Sequence, residues 1–295
     1  MSIPDALRHF LDRCRVVDGG GFRLDAHDTD ARPDGLHKRQ GEALLPELVA
    51  ESAELQKRLY ATGQWGVLCI FQAMDAAGKD GAISHVFSGL NPQGCQVTSF
   101  GAPSASERKH DFLWRHVVNL PARGTIGVHN RSWYEEVLVA RVHPDVLAAQ
   151  NLPPALTGEG IWDRRLNDIA RFERYLTHQG IVVLKFFLHL GAAEQRQRFL
   201  ARIDEPDKNW KLQPSDIVDR KHWDDYQQAY EAAIRATASE KAPWFVLPAD
   251  RKWLARLLVA AALLERLRGL ALDYPEVTEQ QRKALLRMRQ ELSSS

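Results

Sequence analysis

The chain has 295 residues, 44% hydrophobic and 26% charged, an ordinary globular composition that excludes a disordered or low-complexity protein. Its 39 Lys and Arg against 38 Asp and Glu leave a formal charge of +1, so bulk charge gives no footing for nucleic acid, and a polyanion would have to be met by a local basic cluster. Cys14, Cys69 and Cys95 form neither a CxxC pair nor a metal-ligand spacing, which speaks against a disulfide scaffold and a zinc site and points to a reducing, cytoplasmic setting.

Met1 to Phe10 carries Asp5, Arg8 and His9 and lacks the apolar core of a signal peptide. Residues 14–35, rich in Gly and Asp, read as an extended arm. From His37 to Tyr60 the leucines at 44, 45, 48, 55 and 59 predict a helix that Gly63 ends. Val67 to Phe71 is a short apolar run suited to a buried parallel strand, followed by a turn at Asp75 to Gly81 and a helix over Ile83 to Leu90. Gln96 to Phe100 predicts a second strand. Ser104 with Glu107 three residues on predicts a capped helix over 104–118.

Thr125 to His129 reads as a strand, Ser132 to Val142 as a helix, and Ile161 to His178 as a longer helix closed by Gly180. Ile181 to Leu188 is the most apolar strand, and Glu194 to Ile203 a helix. Residues 204–222 are charged and poorly periodic. Trp223 to Thr237 predicts a helix, Trp244 to Leu247 a late strand, and Arg251 to Leu270 a closing helix. The apolar stretch at 253–272 is broken by Arg256, Glu265, Arg266 and Arg268, so no membrane span is expected. Strand and helix alternate over about 190 residues, the signature of an α/β fold with a parallel central sheet covered on both faces. The expected division is an N-terminal arm and helix over 1–62, a core over 63–273 with an inserted lid at about 194–222, and a helical tail over 274–295.

The central chemical signal is VLCIFQAMDAAGKDGAI at Val67 to Ile83. A phosphate loop has the form GxxxxGK[ST] between a strand and a helix, and Gly78-Lys79 holds the GK position in that context. Backbone N–H groups of Ala76, Ala77, Gly78, Asp80 and Gly81 can turn toward a phosphate at the helix N-terminus, and Lys79 can reach the transferring oxygens. Ala73 replaces the first Gly, and Asp80 replaces the hydroxyl residue that would hold Mg²⁺. Asp75 puts an acid inside the loop, which calls for a bridging metal ion or a general-base role. The open alternatives are a polar turn for AGKDG and a turn-stabilising role for Asp75.

Gly124 to Tyr134 (GTIGVHNRSWY) runs from alternating apolar residues into Asn130 and Arg131. Polar residues at carboxyl strand ends face the ligand crevice of a parallel sheet. Arg131 suits a phosphate clamp, with a salt bridge to Asp or Glu as its alternative. In the lid, Arg196, Arg198, Arg202, Lys208, Lys211, Arg220 and Lys221 are interleaved with acids, which fits either a cationic flap over phosphates or a solvated face.

Four ordered stretches resemble the polyphosphate kinase 2 family: FQAMDAAGKDGAISHVFSGLNPQGCQVTSF, GTIGVHNRSWYEEVLVARVHP, FLHLGAAEQRQRFLARIDEPDKNWKLQPSD and KAPWFVLPADRKWLARLLVA. The resemblance implies a thymidylate-kinase-like, three-layer α/β/α P-loop kinase sandwich with a helical lid. It implies transfer of a terminal phosphoryl group between inorganic polyphosphate and ADP or AMP, with ATP among the nucleotides handled and Mg²⁺, or Mn²⁺ in its place, as cofactor. It assigns Asp75, Lys79 and Arg131 to catalysis and Asp75 to the metal. Asn130 stands where many members have Asp, which weakens a direct metal contact there. Glu135 falls where subclasses differ in acceptor and leans toward AMP as well as ADP. Arg198 with Lys208 or Lys211 is similar to residues that contact phosphate chains, and dimers or tetramers are expected. An ATP-dependent nucleotide or nucleoside kinase, or a nucleotide-binding regulatory protein without turnover, would use the same fold.

Overall fold

A computed structural model describes residues 3–294. Helix α1 (Asp5–Cys14) buries Leu7, Phe10, Leu11 and Cys14 on one face and leads into a two-residue strand, β1 (Arg15–Val16). The chain continues through α2 (Lys38–Thr62), β2 (Gly66–Gln72), α3 (Lys79–Phe87), β3 (Cys95–Ser99), α4 (Trp114–Val117) and β4 (Ile126–Asn130). Next come α5 (Val139–Val142), α6 (Pro144–Ala148), α7 (Ile161–His178), β5 (Ile181–His189), α8 (Ala192–Asp204) and α9 (Pro214–Lys221). The last elements are α10 (Trp223–Thr237), β6 (Trp244–Pro248), α11 (Lys252–Arg268) and α12 (Glu279–Ser294).

The strands form one sheet in the order β1-β6-β5-β2-β4-β3. All neighbours are parallel except β1, which runs antiparallel along β6. The period-two alternation of a strand sends Val67, Cys69 and Phe71 of β2 to one face, against α2, α3 and α11, and Leu68 and Ile70 to the other, against α7 and α10. The result is the expected three-layer sandwich. The first apolar layer includes α1, whose Leu7 and Leu11 are fully buried, so the arm is part of the core.

Three expected elements come out differently. The helix expected over 104–118 is a single 3₁₀ turn at Glu107–Lys109 and the short α4. Its start signal is real: Glu107 N–H donates to Ser104 Oγ (3.2 Å), and Ser104 N–H donates to the Glu107 carboxylate (2.7 Å). Asp111 then accepts the Leu113 N–H (3.0 Å) and interrupts the helix. The helix expected over 132–142 is split into a 3₁₀ turn at Trp133–Glu136 and α5, with Trp133 and Tyr134 drawn into the core. Within 204–222, a 3₁₀ segment at Pro206–Lys211 and α9 give the lid the order that its mixed charges concealed.

Behind β5 lies a closed ionic network. Lys185 Nζ donates to Glu173 Oε2 (2.5 Å) and to the Thr237 carbonyl (2.7 Å), while the Tyr134 hydroxyl (2.7 Å) and Trp133 Nε1 (3.2 Å) donate to Glu173 Oε1. Burial holds the Lys185 ammonium below its usual pKa, and Glu173 opposes that shift.

Burial also holds several histidines neutral. His189 is pushed down to about 4 and His116 to about 2, desolvation being the first cause in both. Because the unfolded imidazoles titrate near 6.5, the unfolded state binds more protons below that pH. Stability is therefore full above about pH 6.5 and falls as pH drops. We expect urea midpoints to decline steadily from pH 7 to pH 4, and His189→Gln to flatten part of that slope. A midpoint independent of pH over this range would contradict it.

Candidate active site

Strand β2 sits between β5 and β4, and its carboxyl end turns at Ala73 to Gly78 into α3. Gly78 has φ 100°, a left-handed conformation open to glycine, and Ala76 holds φ 63° although it carries a Cβ. Lys79, the first residue of α3, donates from Nζ to the Ala73 carbonyl (2.9 Å), closing the loop over itself. Burial lowers its pKa, with the Arg131 charge acting in the same direction and Asp75, Glu135 and Asp80 opposing.

The neighbouring β4 delivers the second half of the site. Asn130, its last residue, donates from Nδ2 to Asp80 (2.7 Å). Arg131 follows with φ 66°, again a left-handed non-glycine residue. Its guanidinium lies 3.3 Å from Asp75 Oδ1 and 3.5 Å from Glu135 Oε2. The Glu135 carboxylate, then Asp75, raises the Arg131 pKa, so the guanidinium is locked in its charged form. Gln72 Nε2 donates to Glu135 Oε1 (3.1 Å) and fixes that carboxylate from below. Asp75, Arg131 and Glu135 line a cavity of about 30 Å³ closed by Asp219, Tyr226 and Tyr230.

Arg131 is thus salt-bridged, the alternative set beside its clamp role, and it also stands beside the loop. Asp75, Ala76, Ala77, Gly78, Lys79, Asp80, Gly81, Asn130, Arg131 and Glu135 all converge here. Lys208 and Lys211 are set apart on the lid's 3₁₀ segment, where Lys208 pairs with Glu205 and the Lys211 ammonium lies over the Trp210 ring at 5.0 Å.

Arg198 departs from its expected role. Its Nε donates to Glu194 (2.7 Å), NH1 to the carbonyls of Ala76 (2.9 Å) and Ala77 (3.0 Å), and NH2 to those of Ala249 (2.8 Å) and Asp250 (3.0 Å). With its fork of donors engaged, Arg198 in this structure braces the phosphate loop from behind and has none to offer a phosphate. Arg198→Lys is expected to lower stability by about 2–3 kcal/mol, because an ammonium cannot reach both pairs of buried carbonyls. A urea unfolding midpoint equal to wild type would refute the brace.

Sequence reasoning passed over Gln72, Gln195 and Lys252. Gln195 Nε2 donates to the Asp75 carbonyl (3.0 Å), while its Oε1 accepts from Arg220 (2.7 Å). The Lys252 stem lies beside Gly78, 3.9 Å from where a Cβ would stand. The position of Lys252 at the start of a helix after an apolar strand was the available clue. Nothing local marks the two glutamines.

Among the described residues no cluster of three or more His, Cys, Asp or Glu is arranged to hold a metal. Asp75 does fit Mg²⁺ held mainly by phosphates and water, since that ion needs only one or two carboxylates. Its carboxylate is one-fifth exposed and receives a single long hydrogen bond. No helix among the described residues is long and apolar enough to cross a membrane.

A parallel sheet whose central strand feeds a lysine-bearing phosphate loop, faced by an arginine from the adjacent strand, defines the P-loop kinase class. The family model for polyphosphate kinase 2 matches residues 35–275, and the chain belongs to the polyphosphate kinase 2 family. It is 50% identical over 279 residues to an ADP-polyphosphate phosphotransferase of Rhodopseudomonas palustris, covering 94% of this chain and 96% of that one. It is 45% identical over 269 residues to an AMP/ADP-polyphosphate phosphotransferase of Meiothermus ruber, covering 90% and 96%. The crystal structure of polyphosphate kinase 2 from Arthrobacter aurescens superposes with a TM-score of 0.86 at 39% identity, covering 98% of this chain and 99% of that one.

Proposed function

We propose that this enzyme transfers the terminal phosphoryl group of inorganic polyphosphate to ADP or AMP. The observation that carries the reading is the meeting of Asp75, Lys79 and Arg131 at the carboxyl ends of two adjacent parallel strands, in a chain whose relatives are named for this transfer. A phosphate entering the loop meets the N-terminus of α3 and displaces the Ala73 carbonyl as the partner of Lys79 Nζ. Arg131 is already charged and held between two carboxylates, so its fork is oriented before substrate arrives. Asp75 would hold Mg²⁺, which supplies charge neutralisation between donor and acceptor phosphates when bound. The acceptor phosphate oxygen is ionised near neutral pH and attacks in line, so Asp75 is needed for alignment more than for proton removal. The lid, rooted at Gly191 and carrying Lys208 and Lys211, excludes water from the transfer.

Glu135 touches both Arg131 and Gln72 beside the loop; AMP as well as ADP is included because the Meiothermus ruber relative is named an AMP/ADP-polyphosphate phosphotransferase. The test is ATP formation from polyphosphate and Mg²⁺ with ADP, and ADP or ATP formation with AMP, in separate reactions. Transfer to both acceptors supports the reading in full. Transfer to ADP alone removes the AMP part. No transfer from polyphosphate, with robust transfer from ATP to a nucleotide, overturns it in favour of a conventional kinase.

A further inference from the structure

The lid is tied to the phosphate loop at its root, through one peptide, Asp75–Ala76. The carbonyl of that peptide accepts from Gln195 Nε2 (3.0 Å), and the next two carbonyls, of Ala76 and Ala77, accept from Arg198 NH1. Gln195 and Arg198 stand three residues apart on α8, so one face of that helix holds three consecutive loop carbonyls. In a trans peptide the N–H points opposite to the C=O. With the Asp75 carbonyl held toward α8, the Ala76 N–H is turned away from α8, and it donates to no backbone group among the described residues. Ala76 sits at φ 63°, a conformation that a residue with a Cβ keeps only where its surroundings impose it.

Gln195 is buried, and its other end is held as well. Its Oε1 accepts from Arg220 NH1 (2.7 Å), which also donates to the Ala192 carbonyl (2.9 Å). The two partners fix which way the amide lies. A carbonyl only accepts, so it takes the NH2 side, and a guanidinium only donates, so it takes the oxygen. A carboxylate at 195 could not serve the loop, and an ammonium could not serve Arg220. Arg220 belongs to α9, the outer helix of the lid. The adjacent Asp219 accepts from His143 Nε2 (2.6 Å) and the Tyr226 hydroxyl (3.2 Å), which seats α9 on the core.

We infer that Arg220 and Gln195 are positioning residues that carry the seating of α9 to the Asp75–Ala76 peptide, so that the phosphate cradle is set when the outer lid is in place. When α9 lifts, Gln195 Oε1 loses its charged donor in a buried setting, and the amide turns to find another. The Asp75 carbonyl then loses its partner, and the strained Ala76 is free to relax and swing its N–H. The inference rests on the reading that this loop takes the phosphates of the transfer.

Arg220→Met removes the donors and keeps the stem, Gln195→Met removes both amide functions at similar size, and Arg220→Lys returns one donor. Hydrogen–deuterium exchange over residues 73–79 is followed in the ligand-free enzyme, with the middle of α11 as internal control, beside steady-state rates with ADP and polyphosphate. In Arg220→Met, exchange over 73–79 is expected to rise about tenfold, the loss of one buried hydrogen bond, with α11 unchanged. Its kcat falls with nucleotide KM unchanged, and Arg220→Lys recovers much of both losses. The double variant is no worse than Gln195→Met, because the two residues act in series. Wild-type exchange over 73–79 in Arg220→Met overturns the relay even if turnover falls, since Arg220 would then act on phosphate directly. Additive losses in the double variant overturn it too. If Arg220→Met also loosens α11, Arg220→Ala, a good helix former at this half-buried position, is read in the same way. The exchange does not depend on turnover. A wild type without transfer from polyphosphate therefore counts against the proposed reaction while the exchange still decides the relay.

Discussion

Lys79→Ala is expected to lower polyphosphate-driven ATP formation by roughly 10²–10³-fold, the cost of removing one preorganised positive group from a phosphoryl-transfer site. The charge of Lys79 is in tension with its surroundings. Burial and Arg131 disfavour the ammonium, while the three carboxylates of Asp75, Glu135 and Asp80 favour it. Under the proposed reaction, incoming phosphates would shift that balance further toward the charged form. In the free enzyme its hydrogen bond goes to the Ala73 carbonyl, an internal loop contact with a net value of about 1 kcal/mol. The variant should therefore melt close to wild type while losing turnover. Initial rates with ADP and polyphosphate, beside a thermal melt, separate the two. Activity within tenfold of wild type would remove Lys79 from the chemistry.

Glu173→Ala should produce the largest loss of stability, about 3–5 kcal/mol, because it strands the fully buried Lys185 ammonium without its counter-charge. The double variant Glu173→Leu, Lys185→Met should be far milder, since removing both charges also removes the desolvation cost. Urea denaturation of this double variant and of the single variants Glu173→Leu and Lys185→Met completes the cycle. A double variant as unstable as Glu173→Ala alone would show that the network's worth lies in the Trp133 and Tyr134 hydrogen bonds instead of the ion pair. Those two aromatics follow Arg131 by two and three residues. Loss of Glu173 should therefore also loosen the turn that holds Arg131 in its left-handed backbone conformation.

What the sequence made legible follows local rules. The all-apolar run of β2, the Gly78-Lys79 pair and the onset of α3 are contiguous, so strand, turn and helix could be read together. Asn130 and Arg131 were legible because a parallel sheet puts carboxyl strand ends on one side, and the pairing of Phe71 with Asn130 bears this out. The misreadings lie where tertiary contacts decide. Strand β1 is two residues long and exists through its pairing with Phe245 and Trp244, more than two hundred positions away. The helix expected over 104–118 has a working start signal, but Asp111 supplies a competing side-chain acceptor. Arg198 looks like any lid arginine by composition. Four carbonyls from two distant loops converge on it in the folded chain, and no local pattern announces that.

The edge that β1 covers bears on how this protein can be shortened. The family match begins at residue 35, which invites a truncation there. Such a cut would strip β1 from β6 and leave unpaired amide and carbonyl groups along a strand buried throughout, an open template for association with another chain. It would also take Leu7, Phe10 and Leu11 out of the apolar layer over α11. A trimmed form is thus headed for inclusion bodies, and an affinity tag belongs at the opposite terminus, beyond the solvent-exposed α12.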